Sequence, residues 1–401
     1  MTTPLHVAVI YTDAGGGHRA SAHALRSTLE ATGRYRVTLI NPYKTVIPHL
    51  DIFAWFGRRS GEDVYNEVIL RRGRTRLACW AFYAGLKLNY VLFEAPATRL
   101  LARRFEEIAP DIAVSVMPLS NRVLLNALAR YRAGLRTGPA PEGAVLITDW
   151  RELARGVWFP NRDDYHAICG TEEARADARR QRRLAPRVHA MGGLLVRPEF
   201  AAAAARPAER GALGLDPDRP VVTVLYGAQG SERMVDLARQ MARVPQQAQV
   251  VFLCGRNAAL AAEIDALDLP YPAHVLGFTD RVPHYLSVSD VFIGKPGPGS
   301  VSEALALGVP VLLDRSLALP QEAAVLRHVL DKGLGQAFST LEEFETLYTG
   351  ALAVAAGERP ARRSNTSCSD IVTILDRIAA GRKPVAARHR PISPVPEMRP
   401  D

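Results

Sequence analysis

Lys295-Pro296-Gly297-Pro298-Gly299-Ser300 is followed, one helical turn on, by Glu303. The run comes after the apolar stretch Asp290-Val291-Phe292-Ile293-Gly294, so it reads as a strand, a glycine turn and a helix start. Such a turn aims backbone N–H groups and a helix dipole at one point, which suits phosphate. Gly297 and Gly299 let the backbone approach a pyrophosphate, and Ser300 can donate its hydroxyl to it. Glu303 offers two carboxylate oxygens to a vicinal diol such as a ribose. Alone, it reads as an ordinary surface glutamate beside a turn.

A second glycine loop lies near the N-terminus, where Val7-Ala8-Val9-Ile10 runs into Asp13-Ala14-Gly15-Gly16-Gly17-His18. The bland reading is a tight turn. His18, however, would open a helix and face the crevice beyond the strand's carboxyl end, where open α/β sheets bind ligands. A helix N-terminus disfavours imidazolium and leaves the ring neutral, as a base must be. Neither the dinucleotide pattern Gly-x-Gly-x-x-Gly nor the Walker lysine pattern is met. Asp149, at another strand's end, could be catalytic or could cap a helix. Gly230 and Ser231, in Tyr226–Ser231, could add N–H donors to the same phosphates. Phe278 after Gly277 could hold a base, or be a core aromatic.

These residues need elements to carry them. Apolar periodicity predicts strands at 5–11, 36–41, 111–116 and 144–148, with helices at 18–32, 97–108 and near 121–132. The second half repeats the alternation, with strands at 221–225, 249–253, 274–276, 291–293 and 309–313. That order implies parallel sheets with helices on both faces, an α/β class. With 401 residues, two domains are expected. The Ala- and Pro-rich stretch after 197 places the boundary, giving an N-terminal domain at 1–197 and a C-terminal domain at 198–380. A Pro/Arg-rich tail at 381–401 reads as disordered.

Residues 43–96 interrupt the pattern as an inserted helical region. They carry Trp55, Phe56, Trp80, Phe82, Tyr83 and Tyr90 among Arg58, Arg59, Arg71, Arg72, Arg74 and Arg76. The mixture suits an anionic membrane interface, or a helical subdomain with its aromatics turned inward. The arginine-rich stretch at 172–187 reads as a solvated helix face. A net charge of +9 favours anionic partners, but nucleic acid is not expected because no readout motif accompanies it. The four cysteines show neither metal-ligand spacing nor a disulfide framework, as in a reducing cytosol. The first apolar run reads as a strand rather than a signal peptide. The apolar stretch at 77–86 falls short of the ~20 residues of a spanning helix. A soluble or peripheral protein is expected.

Together these segments resemble the monogalactosyldiacylglycerol synthase and processive diacylglycerol glucosyltransferase family, which is related to the enzyme that adds N-acetylglucosamine to the peptidoglycan lipid precursor. The resemblance runs from Leu5 to about Phe338. It is most specific at Asp13–Ser21, at Cys254-Gly255-Arg256-Asn257 and at Lys295–Ala304, and weaker at Thr148-Asp149, Trp158-Phe159 and Gln321-Glu322. The chain departs from the family at Met117, where histidine is frequent, and at Pro320, where glycine is usual.

The resemblance implies a GT-B fold, two Rossmann-like domains facing across a cleft. It implies inverting transfer of a hexosyl group from a UDP-sugar to a lipid hydroxyl, on diacylglycerol or a glycosyl-diacylglycerol. Gly299 and Ser300 would meet the pyrophosphate with help from Lys295, Glu303 the ribose, and Gln321 and Glu322 the donor sugar. Arg256 lies in a matching donor-side motif. The loop Gly15-Gly16-Gly17 would face the acceptor, with His18 as base and Asp149 as the alternative. The expected partners are a UDP-sugar, a lipid acceptor and an anionic membrane surface, with the protein peripheral on the cytosolic face. No cofactor and no obligatory metal are expected. A soluble or polyprenyl-linked acceptor, or a UDP-sugar sensor without turnover, are the alternatives; oligomeric state is open.

Overall fold

A computed structural model describes residues 3–14, 16–51, 60–64, 77–355 and 365–384. The first sheet contains β1 (Leu5–Ile10), β2 (Tyr35–Ile40), β3 (Ile112–Ser115), β4 (Glu142–Leu146), β5 (His166–Cys169) and β6 (Val188–Ala190). All are parallel, in the order β2-β1-β3-β4-β5-β6. The second contains β7 (Val221–Leu225), β8 (Gln249–Leu253), β9 (Ala273–Leu276), β10 (Val291–Gly294), β11 (Val311–Asp314) and β12 (Gly335–Phe338). It too is parallel, in the order β12-β11-β10-β7-β8-β9. The α/β reading of two doubly wound sheets holds.

Parallel strands covered on both faces are apolar at nearly every position, because successive side chains alternate between two cores. In the second sheet Val221, Leu225, Val251 and Leu253 enter one core, and Val222, Val224, Val250 and Phe252 enter the other. In the first sheet Val7 and Val9 face one side, and Ala8 and Ile10 the other. The helices that matter for the site are α1 (Gly17–Glu30), α2 (Leu77–Ile108), α3 (Asn121–Gly134) and α4 (Glu172–Arg179) in the first half. In the second half they are α5 (Pro198–Ala205), α6 (Arg233–Met241), α7 (Ala258–Asp265), α8 (Val282–Val288), α9 (Pro298–Ala306), α10 (Ala323–Asp331) and α11 (Leu341–Ala355).

Three features differ from the sequence reading. The helix expected at 97–108 begins twenty residues earlier, and α2 runs for 32 residues with Pro96 inside it. The arginine-rich helix expected at 172–187 ends at Arg179, and a separate 3-10 turn follows at Ala185–Arg187. The third concerns the last helix, α12 (Ser367–Ala380), which was expected within the C-terminal domain. Its Ile371, Ile374, Leu375 and Ile378 pack against Val7, Val9, Ala22 and Leu25, in the first core. Apolar spacing shows that a helix buries one face and is silent on which domain receives it. Beyond α12, the Lys383 carbonyl accepts from the Ala140 N–H and Arg382 pairs with Asp111, so 381–384 also lie on the first domain. The rest of the expected disordered tail, 385–401, lies outside the described residues. So do Trp55, Phe56, Arg58, Arg59, Arg71, Arg72, Arg74 and Arg76 and the side chains of Trp80, Phe82 and Tyr83.

Leu375 is fully buried, so Leu375→Ala should cost about 2–5 kcal/mol. Hydrogen exchange should show the loss in β1 and α1, with β7 and β8 still protected. Loosening confined to the second sheet would contradict the packing.

Candidate functional site

Each sheet reverses its strand order once. In the first sheet β1 lies between β2 and β3, and in the second β7 lies between β8 and β10. Loops on either side of such a reversal diverge and leave a crevice beyond the carboxyl ends of the strands. Both glycine loops leave strands at these two places.

The N-terminal crevice holds His18. Gly16, at φ +77°, is the N-cap of α1, and no side chain caps the helix. Gly15 lies outside the described residues. The His18 Nδ1 is 2.9 Å from the Thr148 hydroxyl, and its ring lies 5.9 Å from that of Trp158. Burial lowers its pKa to about 4, against a small opposing effect of the Val116 carbonyl, so the ring is neutral at pH 7. Asp149 follows β4, and its carboxylate accepts from the Trp158 indole N–H at 2.9 Å. Burial pushes its pKa up to about 7; the Trp158 bond opposes this and the Glu322 charge adds to it. His18 and Asp149 line one pocket together with Gln321 of the other domain.

That pocket has walls that sequence reasoning did not single out as site residues. Glu62 is buried and accepts from the Thr12 hydroxyl at 2.5 Å, the Asp13 N–H at 2.7 Å and the Asn41 amide at 2.9 Å. This ties the helix Gly61–Val64 to the loop after β1. Lys44 pairs with Asp13, and the hydroxyls of Tyr43 and Tyr90 bond to each other. Met117, Leu119 and Leu86 supply apolar wall. The signal was present in the aromatic content of 43–96, but its partners are distant in sequence.

In the second domain, α9 starts at Gly297 with no side-chain cap. Ser300 Oγ donates back to the Gly297 carbonyl at 3.3 Å. Space beside Gly299 is open, with no atom within 4 Å of where a Cβ would stand. The Lys295 ammonium is 3.2 Å from Glu322 Oε1, and the other carboxylate oxygen of Glu322 accepts the Leu319 N–H at 2.9 Å. Glu322, expected to meet sugar hydroxyls, is buried and braces Lys295. Gly255 (φ +60°) could not be another residue, since a Cβ there would stand 2.3 Å from the Ala228 carbonyl oxygen. The Arg256 N–H donates to that same oxygen at 2.9 Å. The loop after β7, with Gly230 at φ +63°, and the loop after β8 are therefore one unit. Ser231 Oγ accepts from the Arg233 N–H at 3.3 Å and helps start α6.

Phe278 is 66% exposed, which rules out the core alternative, and the Arg256 guanidinium lies 5.0 Å from its ring centroid. Glu303 pairs with Arg197, Nε to Oε1 at 3.3 Å. Burial raises the Glu303 pKa, and Arg197 counters that. Arg197 escaped the sequence reading because it lies at the domain junction, 106 residues away. The Asp-x-Asp spacing at 216–218 is a turn closed by the Asp218 N–H onto Asp216. Among the described residues no group of three or more His, Cys, Asp or Glu could hold a metal ion.

The molecule as a whole superposes on MurG of Acinetobacter baumannii with a TM-score of 0.56, covering 93% of this chain and 100% of that one at 14% identity. The fold is GT-B. The same architecture is found in a UDP-GlcNAc 2-epimerase from Neisseria meningitidis, with a TM-score of 0.52 at 11% identity, covering 93% of this chain and 99% of that one. Residues 221–313 of the C-terminal GT-B domain match the glycosyltransferase family 28 C-terminal domain. The chain is similar to monogalactosyldiacylglycerol synthase of Spinacia oleracea, with 27% identity over 355 residues. The alignment covers 85% of this chain and 65% of the relative, so the chain spans less than two thirds of that protein.

If Glu303 holds a ribose, Glu303→Ala should weaken UDP binding about tenfold or more without loss of fold, and hardly alter binding of inorganic pyrophosphate. Calorimetry with both ligands checks this; equal losses for both would place Glu303 elsewhere.

Proposed function

We propose that this protein is an inverting glycosyltransferase that moves a hexosyl group from a UDP-sugar to a lipid hydroxyl, on diacylglycerol or a glycosyl-diacylglycerol. The observation that carries the reading is that His18 and Asp149 of one domain share a pocket with Gln321 of the other, next in sequence to Glu322, which holds Lys295 before the uncapped start of α9. The likeness to a galactolipid synthase supports a lipid acceptor.

The diphosphate would lie on the N–H groups of α9, with Lys295 beside it. These groups are fixed in advance, so they stabilise the charge that grows on the departing UDP without reorganising. Glu303 would take the ribose, and the stacked Arg256 and Phe278 offer a planar surface to the base. The acceptor hydroxyl attacks the anomeric carbon from the side opposite the diphosphate. As the new C–O bond forms, the bond to UDP breaks and the hydroxyl proton passes to a base. A base works best with a pKa near the working pH. Asp149, at about 7, meets that condition better than His18, at about 4. Asp149 is therefore the preferred base, and neutral His18 orients the acceptor oxygen.

We place the enzyme at the cytosolic membrane face. Among the described residues no helix is long and apolar enough to cross a membrane. On α2, however, Leu88, Val91 and Leu92 are 53%, 68% and 59% exposed. Their spacing puts them on one helix face, in the inserted region that also contributes Tyr90 to the pocket wall. That face fits the acyl boundary of a bilayer whose headgroups attract a cationic protein.

Incubation with UDP-hexoses and diacylglycerol vesicles, read by mass spectrometry, should yield a glycolipid; UDP binding without product from any donor would defeat the reading. Asp149→Asn should abolish transfer and keep UDP binding. Because the carboxylate is the active form, the rate should rise with pH and level off above about 7. Glu322 raises the Asp149 pKa, so Glu322→Gln should move that limb to lower pH; an unmoved limb would remove Asp149 as the base. Replacing Leu88, Val91 and Leu92 with serine should abolish co-flotation with anionic vesicles and leave UDP affinity unchanged.

A further inference from the structure

A second pocket opens between the domains beside Gln321, the residue it shares with the pocket of His18 and Asp149. Its charged lining is unbalanced. Arg151, Arg155 and Arg180 come from the first domain and Arg327 from α10 of the second, against two carboxylates, Glu152 and Asp177. Both carboxylates are buried and already used. Asp177 takes Arg151 in a two-pronged pair, at 3.1 and 2.7 Å, and also Arg180 at 2.7 Å. Glu152 accepts the backbone N–H groups of Trp158 and Phe159, each at 2.8 Å. Arg155 and Arg327 are exposed, and among the described residues neither has an acidic or carbonyl partner. Two unpaired guanidinium groups from opposite walls of one pocket call for an anion.

The position of the pocket says where that anion belongs. Gln321 adjoins Glu322, which braces Lys295 under the start of α9. Gln321, expected to meet the donor sugar, lines both the pocket of His18 and Asp149 and the arginine pocket. We propose that the arginine pocket receives an anionic substituent of the donor sugar, so that the group transferred is a hexuronate. The inference rests on the transferase reading above and adds the class of sugar. Arg327 and Arg155 would hold the carboxylate, and Arg151, locked by Asp177, would stiffen the wall. A neutral hexose would leave both free arginines without a counter-charge.

The test compares UDP-glucuronate with UDP-glucose, by calorimetry and by initial rates on neutral diacylglycerol vesicles. UDP-glucuronate should bind about tenfold more tightly or better. The double variant Arg155→Gln with Arg327→Gln should remove that preference and leave UDP affinity unchanged, since neither side chain contacts the phosphate or ribose loops. Equal binding of the two donors, or a preference that survives the double variant, would overturn the proposal. Binding preference without transfer to any lipid would sink the transferase reading and keep the anion pocket. Transfer from UDP-glucose with no preference would do the reverse. A third arm repeats the UDP-glucose rates on vesicles containing phosphatidate. If the double variant changes only the response to that lipid, the anion is a headgroup and the donor assignment falls.

Discussion

The constraint behind this molecule is that a parallel sheet whose strand order reverses cannot close over its own reversal point. Neighbouring loops leave in opposite directions there, and the backbone N–H groups of the next helix stay unsatisfied unless a ligand or water meets them. Both sheets have such a point, at β1 beside β3 and at β7 beside β10. Gly16 and Gly297 each begin a helix without a side-chain cap. A capping residue at either position would spend those donors internally and fill the gap. Glycine there gives up a little local helix stability and leaves those N–H groups open to a ligand.

Around the two crevices, charge is held by partners chosen for position more than strength. Lys295 is held by Glu322, Glu303 by Arg197, and Glu62 by Thr12 and Asp13 of the first loop and by Asn41 after β2. Asp149 is the exception. Its carboxylate accepts from the neutral indole of Trp158, and the like charge of Glu322 adds to the effect of burial. A buried carboxylate so placed holds its proton to neutral pH, unlike the others, whose partners are cationic or numerous.

Much of this was legible in the sequence. Apolar runs leading to glycine loops named β1, β7, β8 and β10, because doubly covered strands are apolar throughout; Gly16, Gly227 and Gly255 take positive φ in the loops after β1, β7 and β8. The strands β5, β6 and β12, three or four residues each, were not read as strands. Their short runs are too weakly apolar to stand out from helix ends. The site was legible where its chemistry is local, as in Lys295 to Glu303. It was not legible where a role is fixed by distant partners. The pairing of Glu322 with Lys295 and that of Arg197, at the linker, with Glu303 appear only in the fold. Glu62 carried no mark, since Thr12 and Asn41 give it meaning only after folding.

The placement of α12 has a mechanical consequence. The chain enters the second domain near Pro198 and is back on the first by Ser367, so two covalent strands span the junction. A single tether would let the halves swivel, twist and drift apart. Two tethers leave one cheap freedom, a rocking motion about the line that joins them. The mouth can gape and shut, but the two loops return to the same alignment each time. Reproducible alignment of this kind is what a reaction between groups borne on separate halves requires.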